Sequence, residues 1–236
     1  MRNIEKLVGK VTKLVVEFLG EDLICLYWVG SSLYGSMKKR SDIDVFGIVK
    51  EDFDFIKEDK VNNYLKKNFE KKYKIEARFR GITISELEGG EQKGRLTKWI
   101  PISILIKSLS RGKVLYGKYD WKKCKVKPVP LKQEGWHYIG LIEYFIPLYR
   151  KNYREAESQF KFKDFIKLAY WLANVELQLE GYEYTPNFKE IEKRVKRNHI
   201  VHLIASMREK DKITKWDKEK ILNKLEEYVE EMKRKL

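Results

Sequence analysis

The chain is poor in the residues that build covalent or metal-held scaffolds. Of its 236 residues only two are Cys and three are His. Cys25 lies in an apolar stretch and Cys124 near a Pro cluster, so no disulfide framework is expected, and a reducing, cytoplasmic setting follows. The Cys and His residues lack structural-zinc spacing, and His199 with His202 alone makes too small a ligand set. No apolar run approaches the ~20 residues that cross a bilayer. Leu23–Val29 is typical of the longest runs, so no membrane partner is expected. Arg2, Glu5, Lys6 and Lys10 interrupt the first apolar pattern, which argues against a secretory leader. There is no Gly-x-Gly-x-x-Gly after a strand, no Walker loop and no long internal repeat.

What is present is ample apolar material and an excess of positive charge. Hydrophobic residues are 43% of the chain, enough for a packed core. Fifty Lys and Arg against 35 Asp and Glu leave +15, a field that attracts nucleotides and nucleic acid. Charge of this kind speaks to association and not to fold. The length suits one large or two small domains.

Periodicity divides the chain. Ile4, Leu7, Val8, Val11, Leu14, Val15 and Phe18 recur at helical spacing, and Gly20 closes that helix. Leu23–Val29 reads as a buried strand, Asp42–Val49 as a second, and 73–84 as a third, with 53–69 a helix whose apolar face is ragged. Leu33–Met37 has the length of a short helix, and residues 99–109 give another helical face. Pro128 and Pro130 in a Lys-rich run mark a boundary, giving an expected division into 1–125, a linker 126–135, and 136–236. Beyond it the patterns are helical over 136–158 (kinked or split at Pro147), 162–179, 188–209 and 213–236, which suggests a bundle.

One stretch carries chemistry. A strand ends at Val29-Gly30-Ser31-Ser32, and ten residues after Ser32 come Asp42-Ile43-Asp44-Val45. Gly30 allows close approach of a ligand, and turn amides with the hydroxyls of Ser31 or Ser32 suit a phosphate. Asp42 and Asp44, two apart on a strand, face one side. Paired carboxylates beside a phosphate site describe a Mg²⁺ site, since magnesium is shared between carboxylates and substrate phosphates. Two such ions would polarise both the attacking and the leaving oxygen. Lys38 and Arg40 are placed to meet a triphosphate, or else form a solvated loop.

These residues resemble the signature of the polymerase-β type nucleotidyltransferase superfamily: apolar-Gly-Ser, about ten residues, then Asp-apolar-Asp-apolar. A second Gly-Ser at Gly35-Ser36 strengthens the likeness. The resemblance implies an α+β fold in which a mixed sheet is flanked by helices. It also implies transfer of a nucleoside monophosphate, with ATP the favoured donor, and two Mg²⁺ ions on Asp42 and Asp44. Glu76, on the polar side of Lys74-Ile75-Glu76-Ala77-Arg78, is the candidate third carboxylate; a Glu there is more like the aminoglycoside adenylyltransferases. Its alternative role is an ion pair with Arg78. The acceptor stays open between a small molecule, a protein and RNA, with the positive charge leaning toward RNA. A non-catalytic nucleotide- or RNA-binding module is the alternative.

In the helical half, Arg197-Asn198, three residues, then His202 resembles the RNase motif of HEPN domains. That likeness implies phosphate binding by Arg197 and acid–base chemistry by His202, for which a near-neutral pKa is suited. An RNase toxin fused to a nucleotidyltransferase is thus a further alternative. The competing reading is a solvated basic helix turn, Lys193 to His199.

Overall fold

The chain separates into two compact units, Met1–Pro128 and Val129–Leu236. The computed structural model describes residues 4–34, 42–89, 99–210 and 213–236. Within the stretch 126–135, residues 131–135 are already helix. Pro130 stands directly before that helix, where a missing N–H costs nothing.

In the first unit, α1 (Ile4–Leu19) buries Leu7, Val8, Val11, Val15 and Leu19 along one stripe. It leads into β1 (Leu23–Val29) and, after the loop, β2 (Ile43–Val49). Then come α2 (Ile56–Leu65), which continues through a π turn, Lys66–Glu70, into α3 (Lys71–Tyr73). Lys74, at φ +57°, stops the helix, so Tyr73 is helical and β3 is confined to Ala77–Thr83. A capping box between Thr83 and Glu86 starts the short α4 (Ile84–Leu87), and α5 (Ile102–Leu109) and β4 (Lys113–Gly117) complete the unit.

The sheet is mixed, in the order β3-β2-β1-β4. β1 runs antiparallel to β2 and β4, and β3 runs parallel to β2. One face packs Leu26, Trp28, Val45 and Phe79 against α1 and α2. The other packs Tyr27, Phe46, Ile48 and Ile82 against Leu87, Ile102 and Ile106. Sequence patterning missed β4, whose five residues are mostly exposed and carry no alternation. Gly117 pins it to the sheet: at φ +61°, an added Cβ would lie 2.0 Å from the Ile24 carbonyl oxygen. Gly117→Ala is therefore expected to destabilise the first unit by about 2–4 kcal/mol, through backbone strain plus overpacking. Urea unfolding followed by Trp fluorescence checks this; an unchanged midpoint would contradict it.

The ragged face of α2 has a structural cause. β3 is an edge strand, and its outward amides are met by side chains from the helix beside it. The Ala77 amide donates to Glu70 Oε1 at 3.1 Å, the Phe79 amide to Asn62 Oδ1 at 2.8 Å, and the Gly81 amide to Glu58 Oε2 at 3.1 Å. Asn62 Nδ2 returns a bond to the Phe79 carbonyl at 3.1 Å. Glu58 is fully buried and also accepts from Arg80 at 2.6 Å. Polar residues thus occupy core-facing helix positions because they satisfy a sheet edge that must not stay open.

The second unit is helical: α6 (Leu131–Lys151), α7 (Tyr153–Gln159), α8 (Phe162–Phe165), α9 (Leu168–Leu179), α10 (Phe188–Arg194), α11 (Ile200–Glu209) and α12 (Lys215–Lys235). α9 is buried almost all round and forms the centre. Pro147 lies inside α6 without dividing it; the break comes at Asn152, whose side chain caps α7. Phe145, Tyr149, Phe165 and Tyr170 are core, whereas Tyr144 is exposed. The expected single helix over 188–209 is two, because Val195 is extended and His199 caps α11.

Candidate active site

Side chains at paired positions of neighbouring strands share a face. The β2–β3 register sets Asp44 beside Arg78 and Ile43 beside Ala77. The Ile43 amide donates to the Glu76 carbonyl at 2.9 Å, which brings Asp42 alongside Glu76. Glu76 sits one residue before β3, not within it. Four charged residues thus form two facing pairs, Asp42 and Asp44 on one chain segment, Glu76 and Arg78 on the next. They continue the face that carries Phe46, Ile48 and Ile82, at the end where the apolar residues stop.

The pairs are joined by Arg78. Its guanidinium contacts Glu76 Oε1 at 2.8 and 2.9 Å and lies 3.5 Å from Asp42 Oδ2. The Asp42 side chain is 7% exposed and that of Glu76 is 38% exposed, so the deeper carboxylate has more need of a cation. Sequence reasoning paired Arg78 with Glu76 alone. Its reach to Asp42 was hidden because strand register is not visible in a single chain. A cavity of about 300 Å³ opens beside the pair, lined by Glu76, Arg78, Arg80, Asn62 of α2 and Lys66 of the π turn.

The Gly30 turn meets Asp44 from the other side. Val29 pairs with Asp44 across β1 and β2, and the Leu33 amide closes the turn onto the Gly30 carbonyl at 3.1 Å. Gly30 has φ +79°, and an added Cβ would lie 2.7 Å from Asp44 Oδ2. Glycine is required here both by backbone conformation and by the carboxylate it faces. Ser31 is half-buried; Ser32 is buried and accepts from Trp28 Nε1 at 2.8 Å, so its oxygen also anchors the turn. Lys38, Arg40, Gly35 and Ser36 lie outside the described residues.

Among the described residues, no group of three or more His, Cys, Asp or Glu side chains is gathered as a metal site. Arg78, a cation, takes the position between Asp42 and Glu76.

Arg197 and His202 are arranged differently. Arg197 is exposed in the turn between α10 and α11, not on a basic helix turn, and His202 is inside α11 with Nε2 buried. His199 is the more engaged histidine. Its Nδ1 accepts from the Val201 amide at 3.2 Å, which assigns the proton to Nε2, 3.1 Å from Glu176. Glu176 also accepts from Tyr228 at 2.7 Å and from Lys235. Burial pushes the Glu176 carboxyl up, but the bonds from His199, Lys235 and Tyr228 outweigh it and leave the group at about 2.

No protein-family model matches the chain, and no curated protein matches it. A spectinomycin adenyltransferase from Enterococcus faecialis, solved with ATP and spectinomycin, superposes with a TM-score of 0.58 at 15% identity, over 94% of this chain and 99% of that one. The chain thus shares the fold of that adenyltransferase. The match supplies no counterpart for a HEPN assignment of the helical half. No helix among the described residues is long and apolar enough to cross a membrane.

Proposed function

We propose that the protein transfers AMP from ATP to a small-molecule acceptor, releasing pyrophosphate. The observation that carries this is Asp44 set against the Gly30 turn, with Asp42 and Glu76 meeting at Arg78 on the same face of the adjacent strand ends, in a chain with the fold of an adenyltransferase. The acceptor class rests on the structural neighbour, whose ligands are ATP and spectinomycin. That neighbour offers no support for the RNA contact suggested by charge, and a small acceptor is the better reading.

The residues suit the chemistry. Asp42 and Asp44 are hard oxygen donors on one face, and the lack of a Cβ at Gly30 lets the Asp44 carboxylate lie against the turn. They would hold Mg²⁺, which supplies charge neutralisation at the triphosphate when bound. The Gly30–Ser31–Ser32 turn would hold phosphate oxygens through its amides, with Ser31 adding a hydroxyl. Glu76, more exposed than Asp42, would take the proton from the acceptor hydroxyl at its Oε atoms.

The test is incubation with α-labelled ATP and Mg²⁺ in separate reactions with spectinomycin, a panel of other hydroxylated antibiotics, RNA, and cell extract. Label on a small molecule with matching pyrophosphate release is the expected result. Label confined to RNA or protein overturns the acceptor assignment, and no label anywhere overturns transfer itself. In the same assay Gly30→Ala is expected to weaken ATP binding by about tenfold, because a wrongly placed group near the reacting phosphates costs roughly that or more. Unchanged ATP affinity would remove the turn from the site.

A further inference from the structure

We infer that Arg78 is a resident counter-ion that keeps divalent metal affinity low until nucleotide arrives. This rests on the reading of Asp42 and Asp44 as the metal-holding pair. Arg78 lies 3.5 Å from Asp42 and 2.8 Å from Glu76, and the register places it directly beside Asp44. Its side chain is only 19% exposed, so solvent screens it weakly.

The charge balance sets its effect. Three carboxylates and one guanidinium leave two net negative charges, which a single divalent ion cancels. A second ion then has no local charge to bind. The triphosphate supplies that charge, so full metal loading is coupled to nucleotide. Without Arg78 the Asp42 and Asp44 pair would hold a divalent ion more tightly in the free protein. With it, Asp42 and Glu76 stay drawn together and charge-compensated while the site waits. Arg78 is thus a positioning residue that acts through Asp42 and Glu76. A guanidinium suits the task because its planar fork reaches two carboxylates at once and cannot lose its proton.

The test measures Mn²⁺ binding to the nucleotide-free protein by electron paramagnetic resonance, in the wild type, Arg78→Met, Arg78→Lys and Asp44→Asn. Arg78→Met is expected to bind Mn²⁺ about tenfold more tightly than wild type, the size of an effect from one partly buried charge. Arg78→Lys keeps the charge but not the fork, and is expected to fall between the two. A merely structural arginine would give the opposite sign, since loosening the site weakens binding. Equal or weaker binding in Arg78→Met overturns the inference. Should Arg78→Met fail to fold, Arg78→Lys decides alone: binding tighter than wild type supports the inference, and equal or weaker binding overturns it. Asp44→Asn separates this from the underlying reading. Lost Mn²⁺ binding in Asp44→Asn with no change in the Arg78 variants rejects only the role of Arg78. Retained binding in Asp44→Asn rejects the metal site itself.

Discussion

Asp42→Asn and Asp44→Asn are each expected to keep the fold and to lower the proposed nucleotidyl transfer by at least about a hundredfold, the scale on which preorganised electrostatic groups act. Asn has nearly the shape of Asp, so packing around the buried Asp42 is retained, while the charge that would meet a cation is removed. Asp44 is the cleaner variant, because Asp42 also faces Arg78 at 3.5 Å. Pyrophosphate release under saturating ATP measures the loss, and circular dichroism with thermal unfolding establishes that the fold is intact. Turnover within a few-fold of wild type in both variants would refute the mechanism.

The second large effect is in the helical unit and concerns stability. Glu176 lies at the centre of His199, Tyr228 and Lys235, which tie α9 to the start of α11 and the end of α12. Its carboxyl is held at about 2, below its ordinary 4.5. A depressed carboxyl contributes stability that is fully present above the unfolded value and is lost as pH falls through the folded one. The helical unit should therefore lose on the order of 3 kcal/mol between about pH 4.5 and 2 from this group. Glu176→Ala should cost about 3–5 kcal/mol at neutral pH, since it strands buried donors. Glu176→Gln should flatten the acid limb. Denaturant titrations at several pH values report both; an unaltered acid limb in Glu176→Gln would show that another group sets it.

Much of this was readable from the chain where one periodicity governs one element. α1 and β1 fall where the apolar spacing put them, because each buries a single face or a whole run. The Gly30 turn and the shared face of Asp42 and Asp44 were readable because a turn glycine and the two-residue period of a strand are both local properties. What was not readable depended on partners distant in sequence. Glu58 and Asn62 break the apolar stripe of α2 for the sake of β3, some twenty residues on. The split between α10 and α11 follows from His199 turning to cap a helix while bonded to Glu176. Arg78 contacts Asp42 only because β2 and β3 adopt one particular parallel register.

The manner in which α2 and its π turn seal the sheet edge has a consequence for the site. Glu58, Asn62 and Glu70 bond to the backbone of β3, and a backbone amide is the same whatever residue carries it. The edge is therefore closed without drawing on the side chains of Glu76 and Arg78. Those two side chains are left to the charged cluster they form with Asp42, while the helix alone holds the outer edge of the strand they stand on. A change on the strand would alter the charge at the site and leave the edge closed, whereas loss of Glu58 or Asn62 would open the edge whatever side chains the strand carried.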